Sequence, residues 1–406
     1  MADGRPPAGA LAVIPARGGS KSIPRKNLLP IGGLPLIAHT ILAARSASRV
    51  GRVVVTTDDS EIAGIARRFG ADVVDRPSEI AGDTASSESA VLHVLGTLKP
   101  TDVLADCVVF LQCTSPLTTA EHVDALVSAI MDDGADSALT VRPSHTFLWT
   151  RAADGASTGL NHDPAYRARR QDLAPEYAET GAGYAFTRSG FEVSKHRFFG
   201  RIALVETPDV PPLEIDEIGD IAPLGALLAT RHRAGTLPST LDLVVFDFDG
   251  VMTDDRVFVD QNGLESVACS RADGLGVERL RQIGVPMLIL SKEKNAVVAA
   301  RAAKLKIECL QAVEDKASVF SAFAAERGAL LENCIFVGND INDLPLLKRV
   351  GCPAAPNDAR SEILAAARVI LPAPGGRGAV RALADMIFTA HAAGTLAIGT
   401  TRTGQP

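Results

Sequence analysis

The chain has 406 residues, 46% of them apolar and 22% charged, with a formal net charge of −7. That length exceeds what one hydrophobic core usually organises, so two or three domains are expected. The negative balance argues against a general nucleic-acid binder or a protein of anionic membrane surfaces. No apolar run reaches the ~18 residues of a membrane span, and the opening "MADGRPPAGA" lacks the pattern of a signal peptide. A cytoplasmic protein is expected, in which any phosphate chemistry rests on local cations or a metal.

In chain order the first half alternates strand-like and helix-like segments: "ALAVIPA", "PLIAHTILAARSA", "RVVVTTD", "SEIAGIARRFGA", "CVVFLQC" and "AEHVDALVSAIMDD". This alternation predicts a mainly parallel sheet covered by helices. An irregular Arg-rich stretch follows, and "DIAPLGALLATRHRA" closes the half as a helix. The cluster "GTLPST" reads as a linker. Beyond it a second α/β pattern starts with "LDLVVFDFDG" and runs through "GVERLRQIGV", "PMLILS", "NAVVAARAAKL", "ASVFSAFAAERG", "CIFVGND" and "LPLLKRVG". The expected divisions are residues 1–234, a linker at 235–240, a second domain at 241–392 and a loose tail at 393–406. The six cysteines, Cys107, Cys113, Cys269, Cys309, Cys334 and Cys352, show no C-x-x-C pair and no zinc spacing, and read as reduced core thiols.

In "LAVIPARGGSKSIPRKN" an apolar strand runs into a Gly-Gly turn carrying Arg17, Lys21, Arg25 and Lys26. Glycines let backbone N–H groups approach an oxyanion closely, and the cations offset triphosphate charge. Alone, such a loop could equally be a solvated turn. Further along, Glu214 and Asp216 alternate through Ile215, so on an extended segment both carboxylates would face one way, as shared Mg²⁺ ligation requires.

The series "IPARGGSKSIPRKN", "VVVTTDDSEIAGIARRFGA", "RPSEIAGDTASS", "FLQCTSPLTTAEHV", "RRQDL", "RFFG" and "LEIDEIGD", in that order over about residues 10–230, resembles the CMP-sialic acid synthetases. The resemblance implies a Rossmann-like nucleotidyltransferase domain with CTP as substrate. Arg17, Ser20, Lys21, Lys26 and Asn27 would hold the nucleotide, with Lys21 counted as catalytic, and Arg76 and Ser87 would complete the pocket. Gln112, Arg170, Tyr184, Phe198 and Phe199 would line the sugar side, and Glu214 with Asp216 would bind Mg²⁺. The chain departs from the family pattern at Cys113, Thr118 and Ser22, at "ETGAGYAF", and at Glu214, where the family has Asp.

Asp247 and Asp249 alternate at the end of an apolar strand and are followed by Gly250. Two acids emerging into one tight loop can serve as nucleophile and as proton donor to a leaving alcohol. Ser291, Lys316 and the Asp340/Asp343 pair of "FVGNDINDLP" follow; singly, Ser291 is a strand-end hydroxyl and Lys316 a surface lysine. Their joint order resembles the haloacid dehalogenase superfamily of phosphatases over about residues 241–392. "RADGLG", "GNDINDLPLLKRVG" and "PGGRGAVR" resemble its branch acting on KDO 8-phosphate and KDN 9-phosphate. By that resemblance Asp247 is the nucleophile and Asp249 the acid and base. Ser291 and Lys316 hold the phosphoryl group, and Asp340 with Asp247 and the Asp249 carbonyl binds Mg²⁺. Glu293, in "SKEKN", falls where KDN 9-phosphate enzymes carry Glu and would contact the sugar.

About 40 residues separate Asp249 from Ser291. They read as a hairpin around Asn262-Gly263 and one helix, too little for a cap domain. The fold class expected is therefore α/β in two domains, the second capless. The resemblance implies a homotetramer through the C-terminal domain, with Arg377 reaching a neighbour's sugar carboxylate; alternatively Arg377 sits in a solvated turn. Partners implied are CTP, a nonulosonic sugar acid and its phosphate. The alternative is a synthetase for a legionaminic, pseudaminic or KDO-type acid whose C-terminal domain only tetramerises.

Overall fold

The structure is a computed structural model and describes residues 9–82, 85–98, 106–166, 169, 174–208, 213–231 and 237–399. The chain forms two compact units. One is drawn from Met1–Arg17, Ala47–Asp58 and Asp72–Glu214, the other from Gly18–Ser46, Asp59–Ala71 and Ile215–Pro406.

The first unit is built on seven strands: β1 (Ala10–Pro15), β2 (Val50–Thr57), β3 (Asp72–Asp75), β4 (Val108–Leu111), β5 (Ser137–Ser144), β6 (Glu176–Phe186) and β7 (Ile202–Glu206). Their order is β7-β5-β6-β4-β1-β2-β3, and only β6 runs antiparallel to its neighbours. The unbroken apolar runs of β1 and β4 are those of strands covered on both faces, and each is buried along nearly its whole length. Helix Ser87–Thr97 lies against β1, and Ala120–Met131 against β5, β6 and β7. Ser86 caps the first, accepting from the Ser89 N–H at 3.1 Å, which satisfies one of the otherwise orphaned N-terminal donors. The mainly parallel sheet expected from the alternation is present.

The second unit carries a six-stranded parallel sheet of β8 (Leu243–Phe246), β11 (Met287–Leu290), β12 (Glu308–Leu310), β13 (Cys334–Val337), β14 (Cys352–Pro356) and β15 (Val369–Leu371). Between β8 and β11 the chain makes an antiparallel hairpin of β9 (Thr253–Val259) and β10 (Glu265–Cys269). The sheet order is β12-β11-β8-β13-β14-β15. The chain leaves β8 to one side, builds β11 and β12, and returns to place β13 on its other side. That reversal opens a crevice beyond the carboxyl end of β8, where ligands of open α/β sheets bind. The expected hairpin turns at Asn262-Gly263, with Gly263 at φ +78° and the Asn262 N–H donating to the Asp260 carboxylate.

None of the six cysteines forms a disulfide. Burial pushes the thiols of Cys107, Cys334 and Cys352 up to about 12, so they are inert core groups at neutral pH. Among the described residues no helix is long and apolar enough to cross a membrane.

Candidate functional site

The acids of the second unit converge at the crevice. Asp247 directly follows β8, takes an N–H···O bond to Val337 at 2.9 Å, and is itself buried. Its Oδ1 accepts the Phe248 N–H at 2.7 Å and the Lys316 ammonium at 2.7 Å. Gly250 sits at φ +71°, and a side chain there would strike the Asn339 amide, so only glycine allows the loop to turn beside β13.

Lys316 is the first residue of helix Lys316–Arg327, whose start is fixed by the Asp315 side chain accepting from the Ser318 N–H at 3.1 Å. Its Nζ spans Asp247 and Asp343, 2.7 Å from an oxygen of each. Asp343 is fully buried and its other oxygen accepts the Asn339 and Asp340 N–H groups at 2.9 and 3.4 Å. A Cβ on Gly338 would meet Asp343 at 2.7 Å, so the glycine of "VGND" makes room for this carboxylate.

Asp247, Asp249, Ser291, Glu293, Lys316 and Asp340 line one cavity of about 400 Å³. The structure therefore brings together every residue expected on the phosphatase side except Arg377. Ser291 follows β11 and is buried, its Oγ accepting the Glu293 N–H at 3.0 Å. Glu293 turns one carboxylate oxygen onto the N–H groups of Lys294 and Asn295, at 2.7 and 3.1 Å. Asn295 in turn donates to Glu265 of the hairpin at 2.6 Å, which ties β10 to the cavity's rim.

Burial first, and the Asp343 charge second, push Asp247 up to about 8 against the pull of Lys316. Burial opposes the charge on Lys316, yet its two carboxylates hold its pKa above the ordinary lysine value. When both acids are ionised, one ammonium between them leaves the set one negative charge in excess, which, after burial, is why Asp247 holds its proton so readily. Asp249 is also raised, by burial and then by Glu293 and Asp255. An oxygen-only donor set with surplus negative charge fits a hard divalent cation such as Mg²⁺, which takes few protein carboxylates and keeps waters. Among the described residues no three His, Cys, Asp or Glu side chains form a metal cage. Such a cation would use Asp247, Asp340 and a backbone carbonyl instead.

The expected list omits five residues that line the cavity, Asp255, Lys292, Lys294, Asn339 and Asn342. Asp255 adopts φ +61°, a left-handed conformation uncommon outside glycine. Its signal was its place in the motif "DFDGVMTDD".

Arg377 lies outside the cavity lining. Its Nη2 binds Asp254 of the same chain at 3.2 Å, at the base of the hairpin. The glycines of "PGGRG" also have a local use. A Cβ on Gly375 would meet the Gly250 carbonyl oxygen at 1.9 Å, and the Gly376 N–H donates to Val251 at 2.9 Å. The loop thus packs on the turn that follows Asp249 in its own chain.

Among the synthetase residues, Arg17, Arg76, Ser87, Gln112, Tyr184, Phe198, Phe199 and Glu214 belong to the first unit, and Ser20, Lys21, Lys26, Asn27 and Asp216 to the second. Arg170 lies outside the described residues. Arg76 is anchored at β2, its Nη2 donating to the Thr56 carbonyl at 2.6 Å, and burial lowers its pKa. Ser87 opens helix Ser87–Thr97, and the Gln112 N–H donates to Ala182 at 3.1 Å. Lys26, at one end of the motif series, reaches the other: its Nζ donates to the Ile215 carbonyl at 2.8 Å and to Asp216 at 3.3 Å.

Residues 213–216 form no strand, so the shared facing expected of Glu214 and Asp216 on an extended strand does not arise from strand geometry. Glu214 instead accepts from the Ser115 hydroxyl at 3.1 Å. Gly181, at φ +71°, is the residue a Cβ would bring within 2.2 Å of the Glu214 carboxylate. The glycine in "ETGAGYAF" thus makes space for the longer acid. Tyr184 is only 3% exposed and belongs to the core, its hydroxyl donating to Glu179. Burial first and Glu179 second raise its pKa.

A sheet with a basic glycine-rich loop after its first strand, and a parallel unit gathering Asp-x-Asp, Ser, Lys and Asp at its switch point, define the class: a nucleotidyltransferase joined to a phosphoryl-group hydrolase. Residues 11–203 match the cytidylyltransferase family, and residues 289–383 match the haloacid dehalogenase-like hydrolases. The chain is 30% identical over 387 residues to N-acylneuraminate cytidylyltransferase of Oncorhynchus mykiss, covering 93% of this chain and 88% of that one. It is 39% identical over 149 residues to the CMP-N,N'-diacetyllegionaminic acid synthase of Legionella pneumophila, covering 36% and 62% respectively. A solved haloacid dehalogenase family hydrolase from Streptomyces avermitilis is 47% identical, covering 37% of this chain and 88% of that one, with a TM-score of 0.37. The chain belongs to the N-acylneuraminate cytidylyltransferase family. It is an enzyme with a cytidylyltransferase segment and a haloacid dehalogenase-like hydrolase segment.

Replacing Lys316 with Met leaves Asp247 and Asp343 facing each other without a counter-charge. Removing one member of a buried ion set typically costs ~3–5 kcal/mol. The expected result is a loss of that order in the unfolding free energy of the second unit at pH 7, read from hydrogen exchange of its strand amides.

Proposed function

We propose that this chain carries out two consecutive reactions: release of phosphate from a nonulosonic acid phosphate, then activation of the free acid with CTP to its CMP-sugar and pyrophosphate. The observation that carries the reading is the gathering of Asp247, Asp249, Ser291, Lys316 and Asp340 around one cavity, on a chain of the cytidylyltransferase family. The two catalytic segments are 1–234 and 241–392. The preferred phosphate substrate is a KDN or N-acylneuraminate 9-phosphate, on the strength of Glu293.

In the hydrolase, the Asp247 carboxylate attacks phosphorus while the ester oxygen leaves and takes the proton of Asp249, giving an aspartyl-phosphate and the free alcohol. Water, deprotonated by Asp249, then attacks the same phosphorus, and the Asp247 carboxylate leaves with inorganic phosphate as product. The elevated Asp249 supports a proton donor, since a general acid must hold its proton near working pH. Ser291 and Lys316 hold the phosphoryl oxygens. Asp247, Asp340 and the Asp249 carbonyl would hold a Mg²⁺ ion, which when bound would neutralise phosphoryl charge.

In the synthetase, the anomeric hydroxyl of the sugar acid attacks the α-phosphorus of CTP and pyrophosphate leaves. Arg17, Ser20, Lys21, Lys26 and Asn27 bind the nucleotide, with Arg76 and Ser87. Gln112, Arg170, Tyr184, Phe198 and Phe199 serve the sugar. Glu214 and Asp216 are the carboxylates for the metal.

A homotetramer built through the second unit is part of the proposal. The hairpin carries Val257, Phe258, Val259 and Leu264 more than half exposed, an apolar surface of the kind that marks an interaction site. The cavity has no cap domain over it, and closing it would exclude water.

The deciding experiment is pyrophosphate release with CTP across KDN, N-acetylneuraminic acid, legionaminic acid and KDO, with phosphate release across their phosphates. Activity on none of the phosphates would leave the second unit as a scaffold. Asp247→Asn should abolish phosphate release and leave CMP-sugar synthesis within about twofold of wild type, and Lys21→Ala should do the reverse. EDTA should silence both reactions and Mg²⁺ restore them.

A further inference from the structure

Among the charged pairs of the first unit that the synthetase reading leaves unassigned, one is largely withdrawn from water. Arg197, next to Phe198 in "RFFG", donates from Nε to the Glu88 carboxylate at 2.7 Å, and both side chains are largely buried, 16% and 14% exposed. The same guanidinium lies over two aromatic rings, 4.4 Å from the Tyr184 centroid and 4.9 Å from that of Phe110. Those rings are themselves stacked, with centroids 5.4 Å apart and planes 17° apart, and Phe198 meets Tyr184 edge-on at 5.9 Å. Glu88 follows Ser87 in the first turn of helix Ser87–Thr97. A single arginine therefore connects the start of the helix carrying a nucleotide-side residue to the platform carrying the sugar-side aromatics.

We propose that Arg197 is a positioning residue that holds the aromatic wall of the sugar subsite in register with the nucleotide-side helix through its ion pair with Glu88. This rests on the cytidylyltransferase reading above. A planar guanidinium fits the role: it stacks on ring faces while its edge pairs with a carboxylate, which a lysine ammonium cannot do at once. Because the pair is mostly withdrawn from water, removing one member leaves the other charge unsatisfied and frees the ring platform. Tyr184 is then the residue displaced, since its ring lies under the guanidinium and its hydroxyl is tied to Glu179 at the exposed end of the strand.

The test is steady-state kinetics of CMP-sugar formation by the full chain carrying Arg197→Gln, Arg197→Lys, Glu88→Gln or the Arg197→Gln/Glu88→Gln pair. The sugar acid is whichever member of the panel the unaltered chain uses. Each Gln variant is expected to raise the KM for the sugar acid about tenfold while the KM for CTP moves less than about threefold, a loss typical of breaking a largely buried ion pair. The double variant should be no worse than the poorer single variant, because both remove one interaction. Arg197→Lys should fall between wild type and Arg197→Gln. Thermal unfolding and phosphate release by the second unit report that each variant is folded. If the unaltered chain forms CMP-sugar while both Gln variants keep the sugar KM within twofold, or if their effects simply multiply, the positioning role is wrong. If the unaltered chain forms CMP-sugar from no acid in the panel, it is the cytidylyltransferase reading that fails.

Discussion

The Lys316 ammonium, 2.7 Å from both Asp247 and Asp343, is the contact on which the second unit depends. Asp247 cannot sit buried beside phosphate as a carboxylate unless positive charge is built in next to it, since an unpaired interior charge costs several kcal/mol. Asp343 has no outward role in this arrangement. It gathers the N–H groups of Asn339 and Asp340 and so shapes the loop that presents Asp340 to the cavity. Lys316 thus joins Asp247, at the end of β8, to the loop after β13, and Gly250 and Gly338 keep both turns close enough for the bridge to form.

The cations expected to bind the nucleotide's phosphates are set differently. They lie on the loop after β1, counted with the second unit, where Lys21 is exposed and Lys26 half-buried. Lys26 is held by the Ile215 carbonyl at 2.8 Å and by Asp216 at 3.3 Å. In the first unit the sheet is braced by local pairs such as Arg76 with Thr56 and Arg197 with Glu88.

Much of this was legible in the chain because the signals are local. The apolar runs "LVVF" and "CIFV" read as strands, Asn262-Gly263 as a hairpin turn, and strand-end acids as a site. The order of the acids, Ser291 and Lys316 carried the phosphatase reading because each residue sits at the end of a strand or the start of a helix, where pattern fixes position. What could not be read depends on approach between distant segments. No periodicity pairs Lys316 with Asp343, places Gly181 against Glu214, or lays Arg197 over Phe110 and Tyr184. The shared facing expected of Glu214 and Asp216 depends on their segment being extended, and residues 213–216 belong to no strand that would hold it so. The use of the glycines of "PGGRG" likewise appears only in the fold, where they approach Gly250 and Val251 of the same chain.

On the proposed function, joining the two reactions on one chain has a chemical logic, since the hydrolase's product would be the acid that the synthetase consumes. The most direct measurement is phosphorus NMR of the purified full chain given a 9-phosphorylated nonulosonic acid, CTP and Mg²⁺, with no other enzyme. The account predicts that inorganic phosphate, pyrophosphate and the CMP-sugar all accumulate, and that their formation begins from the phosphorylated acid. Persistence of the sugar phosphate under conditions where the same protein converts the free acid and CTP to CMP-sugar would contradict it.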